Sequence, residues 1–79
     1  MEQKIKQDSI PLGANIRKIR KEKHIGQTEL VRTLQLLGVD ITRECLVKIE
    51  RGIQHVYATQ LKAIKIALDT DFDTLFQNK

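Results

Sequence analysis

Between residues 40 and 52 the chain reads DITRECLVKIERG. Five side chains in it, Arg43, Glu44, Val47, Lys48 and Arg51, are of types that recognise rather than react. On a helix they fall within about 140° of arc, opposite Leu46, Ile49 and Thr42, with Cys45 at the margin. An arginine there can bond guanine in bidentate fashion, a glutamate can accept from a cytosine amino group, and an outward valine can meet a thymine methyl. Lys48 and Arg51 suit phosphates or base edges. The same arc also fits a face that is merely solvated, since single surface valines are common. Geometry alone leaves both readings open.

Other chemistry has less to stand on. His24 and His55 fall in expected loops, without a Cys or His neighbour at ligand spacing, so no metal site is expected. Cys45 invites a redox reading, because a helix N-terminus lowers a thiol pKa. Its place at the edge of the apolar side suits a small packed residue better. The only serine, Ser9, lies in a polar N-terminal tail with no histidine nearby in sequence. No nucleophile–base pair and no glycine-rich phosphate loop are visible. The expectation is a binding protein, neither an enzyme nor a cofactor carrier. In the basic run RKIRKEK (17–23), Arg17, Lys18 and Lys21 point away from the apolar stripe, which favours a solvated face over a phosphate track. Lys4 and Lys6 offer an electrostatic arm.

The elements that must hold these residues are all helical. No β-branched alternation competes, and one proline with four glycines punctuates the chain. Pro11 suits the first turn of a helix running to about Lys23, with Leu12, Ile16 and Ile19 on its buried side. A second helix starts near Gln27 behind Gly26, turns Leu30, Val31, Leu34 and Leu37 inward and stops at Gly38. Thr42 caps a third, which ends at Arg51 before Gly52. A fourth spans about 57–68 with Leu61, Ile64 and Leu68 inward. Asp71 then caps a short fifth, whose Phe72, Leu75 and Phe76 close the core. The first eight and last three residues are expected to fray.

Seventy-nine residues with 41% apolar and 30% charged content make one small soluble domain, burying about 60% of its unfolded surface. No apolar run is long enough for a membrane span or a secretory leader. A lone cysteine suits a reducing, cytoplasmic interior. The net charge of +4 leans toward a polyanionic partner.

In order and spacing, IRKIRKEKHIGQTELVRTLQ, ITRECLVKIERG and LKAIKIALDTDFDTLF resemble the helix-turn-helix domain of Cro/cI-type (XRE family) transcriptional regulators. The likeness covers about residues 12–76, with the helix-turn-helix at about 27–51. It implies an all-α, compact, lambda-repressor-like bundle of five helices. It implies a sequence-specific repressor that inserts the helix 42–51 in the major groove of a two-fold DNA operator, as a homodimer. By the same likeness Arg43, Glu44 and Lys48 face base edges, and Val47 lies among them. Gln27 contacts a phosphate, and Thr42 and Arg51 tend toward the DNA backbone. Arg20 and Glu50 form an ion pair tying the first helix to the third, and Leu30, Leu34, Leu46 and Ile49 are core. Tyr57 and Phe76 are candidate dimer contacts.

Three departures from the family pattern stand out. About five extra residues, QLLGV, precede the third helix, implying an extended second helix and a looser turn. Val31 replaces a small alanine where the two helices cross, and VYATQ replaces a proline or serine cap on the fourth helix. An outward Glu44 and the modest charge keep a second class open: a protein-interaction module, such as an antitoxin-like or anti-repressor partner.

Overall fold

The computed structural model describes residues 4–5 and 10–77. Along them run β1 (Lys4–Ile5), α1 (Leu12–Glu22), α2 (Gln27–Leu36), α3 (Arg43–Glu50), β2 (Val56–Tyr57), α4 (Ala58–Ala67) and α5 (Phe72–Leu75). The described chain is mostly helical, and its five helices wrap one apolar core.

Each of the four longer helices stops by the same device. The residue beyond the C-cap turns left-handed, and its amide and that of the following residue fold back onto the last free carbonyls. For α2, Gly38 donates to the Gln35 carbonyl at 3.0 Å and Val39 to that of Leu34 at 3.0 Å. For α3, Gly52 reaches Ile49 and Ile53 reaches Lys48. Glycine suits these two positions, at φ +90° and +78°. In α1 and α4 the left-handed residues are His24 (φ 59°) and Asp69 (φ 50°). Their amides, with those of Ile25 and Thr70, complete the same pattern. A side chain is strained there, though His and Asp tolerate it better than most.

These stops let α1 and α2 both pack on α3, while α4 packs on α2 and α5 on α1. The core takes Leu12, Ile16 and Ile19 from α1, Leu30, Val31 and Leu34 from α2, and Leu46 and Ile49 from α3. Leu61, Ala63, Ile64, Leu68 and Leu75 close it from the C-terminal side. Ile41 from the α2–α3 connection and Val56 from β2 are fully buried with them. Asn15 ties α1 to the C-terminal segment by donating to the carbonyls of Leu75 and Gln77, each at 2.7 Å.

Four expectations from the sequence are corrected. The turn after the second helix is not loose: α2 takes in Gln35 and Leu36 of the extra stretch and ends there, and the connection is pinned by the Gly38 and Val39 bonds and by the burial of Ile41. Leu37 therefore does not point inward. The chain turns at that residue, Ile41 supplies the core side chain instead, and Leu37 is 45% exposed. Phe72 does not enter the core either. It opens the single turn of α5, leaves Leu75 to face inward, and tilts its ring against Phe76 with the Lys65 ammonium 5.4 Å from its centre. Finally, the tail is not all frayed, because β1 pairs antiparallel with β2, Lys4 opposite Tyr57 and Ile5 opposite Val56. Lys6, Ser9, Asn78 and Lys79 lie outside the described residues.

Candidate functional site

The surface built by α3 begins at Thr42, whose backbone is extended and whose hydroxyl accepts from the Cys45 amide at 3.1 Å. That bond satisfies one of the orphan donors of the first turn and starts the helix at a fixed residue. Leu46, Ile49 and Glu50 are buried, Val47 and Cys45 half-buried, and Thr42, Arg43, Glu44, Lys48 and Arg51 exposed. Four charged side chains thus surround one partly covered valine on a two-turn helix.

None of Arg43, Glu44, Lys48 and Arg51 forms an ion pair or side-chain hydrogen bond with another described residue. This holds even for Glu44 and Lys48, whose i, i+4 spacing is the one at which helical ion pairs usually form. The groups that could recognise a partner are therefore uncommitted. Their summed charge is positive, three cations against one carboxylate.

Beneath this open surface lies a closed network. Arg20 donates through Nε to Glu50 Oε2 at 2.7 Å and through Nη2 to Oε1 at 3.0 Å. Their side chains are 8% and 1% exposed. The third arginine nitrogen, Nη1, donates to the Ile25 carbonyl at 2.8 Å, just ahead of α2. Gln27 adds a further donor, its Nε2 lying 3.1 Å from Glu50 Oε1. Among the described residues, no buried side-chain nitrogen or oxygen lacks a partner. The network joins the end of α1, the start of α2 and the end of α3, so the pair foreseen between Arg20 and Glu50 is present with two extra bonds.

Gln27 thus has an internal partner that the sequence did not reveal. An amide nitrogen carries two hydrogens, and only one is used on Glu50. The half-buried side chain is held with the other available at the start of α2.

Two more glutamines hold α3, and neither was singled out from sequence. Gln35, near the end of α2, donates Nε2 to the Ile41 carbonyl at 2.9 Å. Gln54, beyond α3, donates Nε2 to the Cys45 sulfur at 2.8 Å. No sequence signal marks either, since both partners are reached only after the chain has folded back. Cys45 is accordingly a packed, hydrogen-bonded thiol. No cluster of three or more His, Cys, Asp or Glu residues is placed to hold a metal among the described residues. Arg17, Lys18 and Lys21 are exposed along α1.

Away from α3, an apolar groove runs between the α2–α3 connection and α4, lined by Leu37, Val39, Ala63 and Ile66 with Thr59 and Lys62. Ile66 in this groove is 55% exposed, and Leu36, the last residue of α2, is 81% exposed. Of the two aromatics expected at an interface, Tyr57 is exposed under the Lys4 ammonium, whereas Phe76 is half-buried against the core. No helix among the described residues is long and apolar enough to cross a membrane. No family model, curated protein or solved structure matches the chain.

Proposed function

We propose that this domain binds double-stranded DNA, with α2 and α3 acting as a helix-turn-helix and α3 lying in the major groove. The observation that carries the reading is the set of unpaired charges on α3, displayed by a helix whose other side is buried and hydrogen-bonded. Arg43, Glu44 and Lys48 read base edges and Val47 supplies the apolar contact. Gln27, Thr42 and Arg51 approach phosphates at either end of the helix. The activity is sequence-specific regulation of transcription, as a repressor acting without a cofactor in the cytoplasm. One such domain reads a half-site, so two copies act on a two-fold operator with half-sites about 34 Å apart.

The test is binding to random duplex DNA across a salt series. Each phosphate neutralised contributes about −0.9 to the slope of log affinity against log salt. A steep slope supports the proposal, and the absence of binding at low salt refutes it. One observation favours a second reading, a protein-interaction module. The exposed Leu37 and Ile66 lining the α4 groove are what a protein partner would cover. A protein of that class would ignore DNA at every salt concentration.

A further inference from the structure

We propose that Gln35 is a positioning residue for DNA reading, aiming the first turn of α3 without touching DNA; the proposal rests on the DNA-binding reading above. The α2–α3 connection is the stretch where the chain is longest between its two recognition elements. Its course is set by backbone bonds from the Gly38, Val39 and Ile41 amides, by burial of one side chain and by one side-chain bond. Val39 donates to the Leu34 carbonyl, Ile41 is sealed in the core, and the Gln35 amide grips the Ile41 carbonyl at 2.9 Å.

Only the last of these fixes the peptide plane between Ile41 and Thr42. That plane is the hinge from which α3 departs, because Thr42 is its cap and Arg43 its first residue. The far end is already locked by the Arg20–Glu50–Gln27 network. With one end locked, a swing of about 10° moves the first turn by roughly 2 Å over the seven-residue length, at 1.5 Å rise per residue. A displacement of that size breaks a base-edge hydrogen bond, whose usable range is a few tenths of an ångström. It leaves phosphate contacts made by flexible cations largely intact. Gln35 therefore governs discrimination between sites rather than general affinity for DNA. The residues it aims are Arg43 and Glu44, which stand on the first turn, more than Lys48 and Arg51 near the locked end.

The variant Gln35→Met keeps length and removes the donor. The site selected by the native protein from randomised duplexes and an unrelated duplex serve as the two probes. The expected result is affinity for the unrelated duplex unchanged within about two-fold, and a selected-to-unrelated ratio lowered roughly ten-fold, the worth of one bidentate base contact. Base preference is lost at the positions facing Arg43 and Glu44 alone. An equal loss on both duplexes, as simple destabilisation would give, overturns the proposal, and so does an unchanged ratio. Amide exchange at Cys45 and Leu46 provides a second readout that needs no DNA. It quickens in Gln35→Met if the first turn has been released, and an unchanged rate refutes the positioning role. Should the native protein bind no duplex at low salt, the DNA reading falls on that result, and the exchange rates decide the role of Gln35 in holding α3.

Discussion

The Arg20–Glu50 pair offers the sharpest energetic test, because two single variants and their combination should behave in opposite ways. Glu50→Leu leaves a buried guanidinium without the two bonds it now makes at 2.7 and 3.0 Å, and also releases Gln27. Arg20→Met strands a carboxylate that is 1% exposed. Breaking a buried pair from one side costs about 3–5 kcal/mol, since the remaining charge keeps its desolvation penalty and loses its compensation. A domain of this size has a total stability of roughly 4–12 kcal/mol, so either variant removes a large fraction of it. At the lower figure Tm falls by roughly 10–20 °C. The double variant Arg20→Met with Glu50→Leu strands no charge and fills the space with apolar atoms. It should be more stable than either single variant, with a coupling of about 2–4 kcal/mol. Urea titration followed by circular dichroism measures all four corners of the cycle. Additive losses would show that the two side chains act independently, and would sink the account of α3 as a helix locked at its C-terminal end.

Three further outcomes are expected. Arg43→Ala costs about 1–3 kcal/mol on the selected DNA site and relaxes one base position; an equal loss on every sequence, measured by competition binding, assigns Arg43 to a phosphate instead. His24→Gly relieves the left-handed strain at the end of α1 and raises stability by about 1 kcal/mol in denaturant titration, because glycine enters that region freely; a loss of stability would show that the histidine side chain contributes something its backbone costs. The Asp71 carboxyl is held below the usual carboxylate range by accepting the Thr74 amide at 2.7 Å. A depressed carboxylate stabilises the fold above its unfolded pKa and loses that contribution as pH falls through the folded one. Thermal melts of the native protein should therefore decline in acid more than those of Asp71→Asn, which keeps an acceptor and does not titrate; parallel curves would contradict this.

Much of the architecture could be read because its signals are local. Pro11, Gly38, Gly52, Thr42 and Asp71 each act on the backbone within four residues of themselves, and each marks a helix end in the structure. The stops at His24 and Asp69 use the same left-handed geometry without glycine. Nothing in their residue types announces it, so α1 and α4 were bounded only by where apolar spacing lapses. Leu37 shows the converse failure. Its spacing from Leu30 and Leu34 is right for a buried face, but spacing predicts burial only while the helix continues, and the chain turns there. Ile41, read as part of a connection, takes the core position instead. The β1–β2 pairing was illegible because two residues carry no alternation to detect.

The candidate site divides along the same line. Residues that meet a partner are recognisable by type and by which side of a helix they occupy, and Arg43, Glu44, Lys48 and Arg51 do stand exposed together. Residues that aim them are not, because aiming is done by bonds across the fold. Gln27, Gln35 and Gln54 each send one amide to a different part of α3 or its approach, at 3.1, 2.9 and 2.8 Å. Glutamine suits this work: it is long enough to cross between elements, and its neutral amide donates without adding charge near a carboxylate or a polyanion. Such a residue looks like ordinary polar surface until its partner is known. The unpaired Glu44 then takes on a consistent role. If α3 reads DNA as proposed, Glu44 is repelled by phosphate unless it meets an amino donor and so penalises wrong sites more than right ones, a penalty that is sharp only on a helix whose aim is fixed. A carboxylate on a loosely held helix would swing away from the groove and discriminate little, so the filter and the clamp that aims it depend on each other.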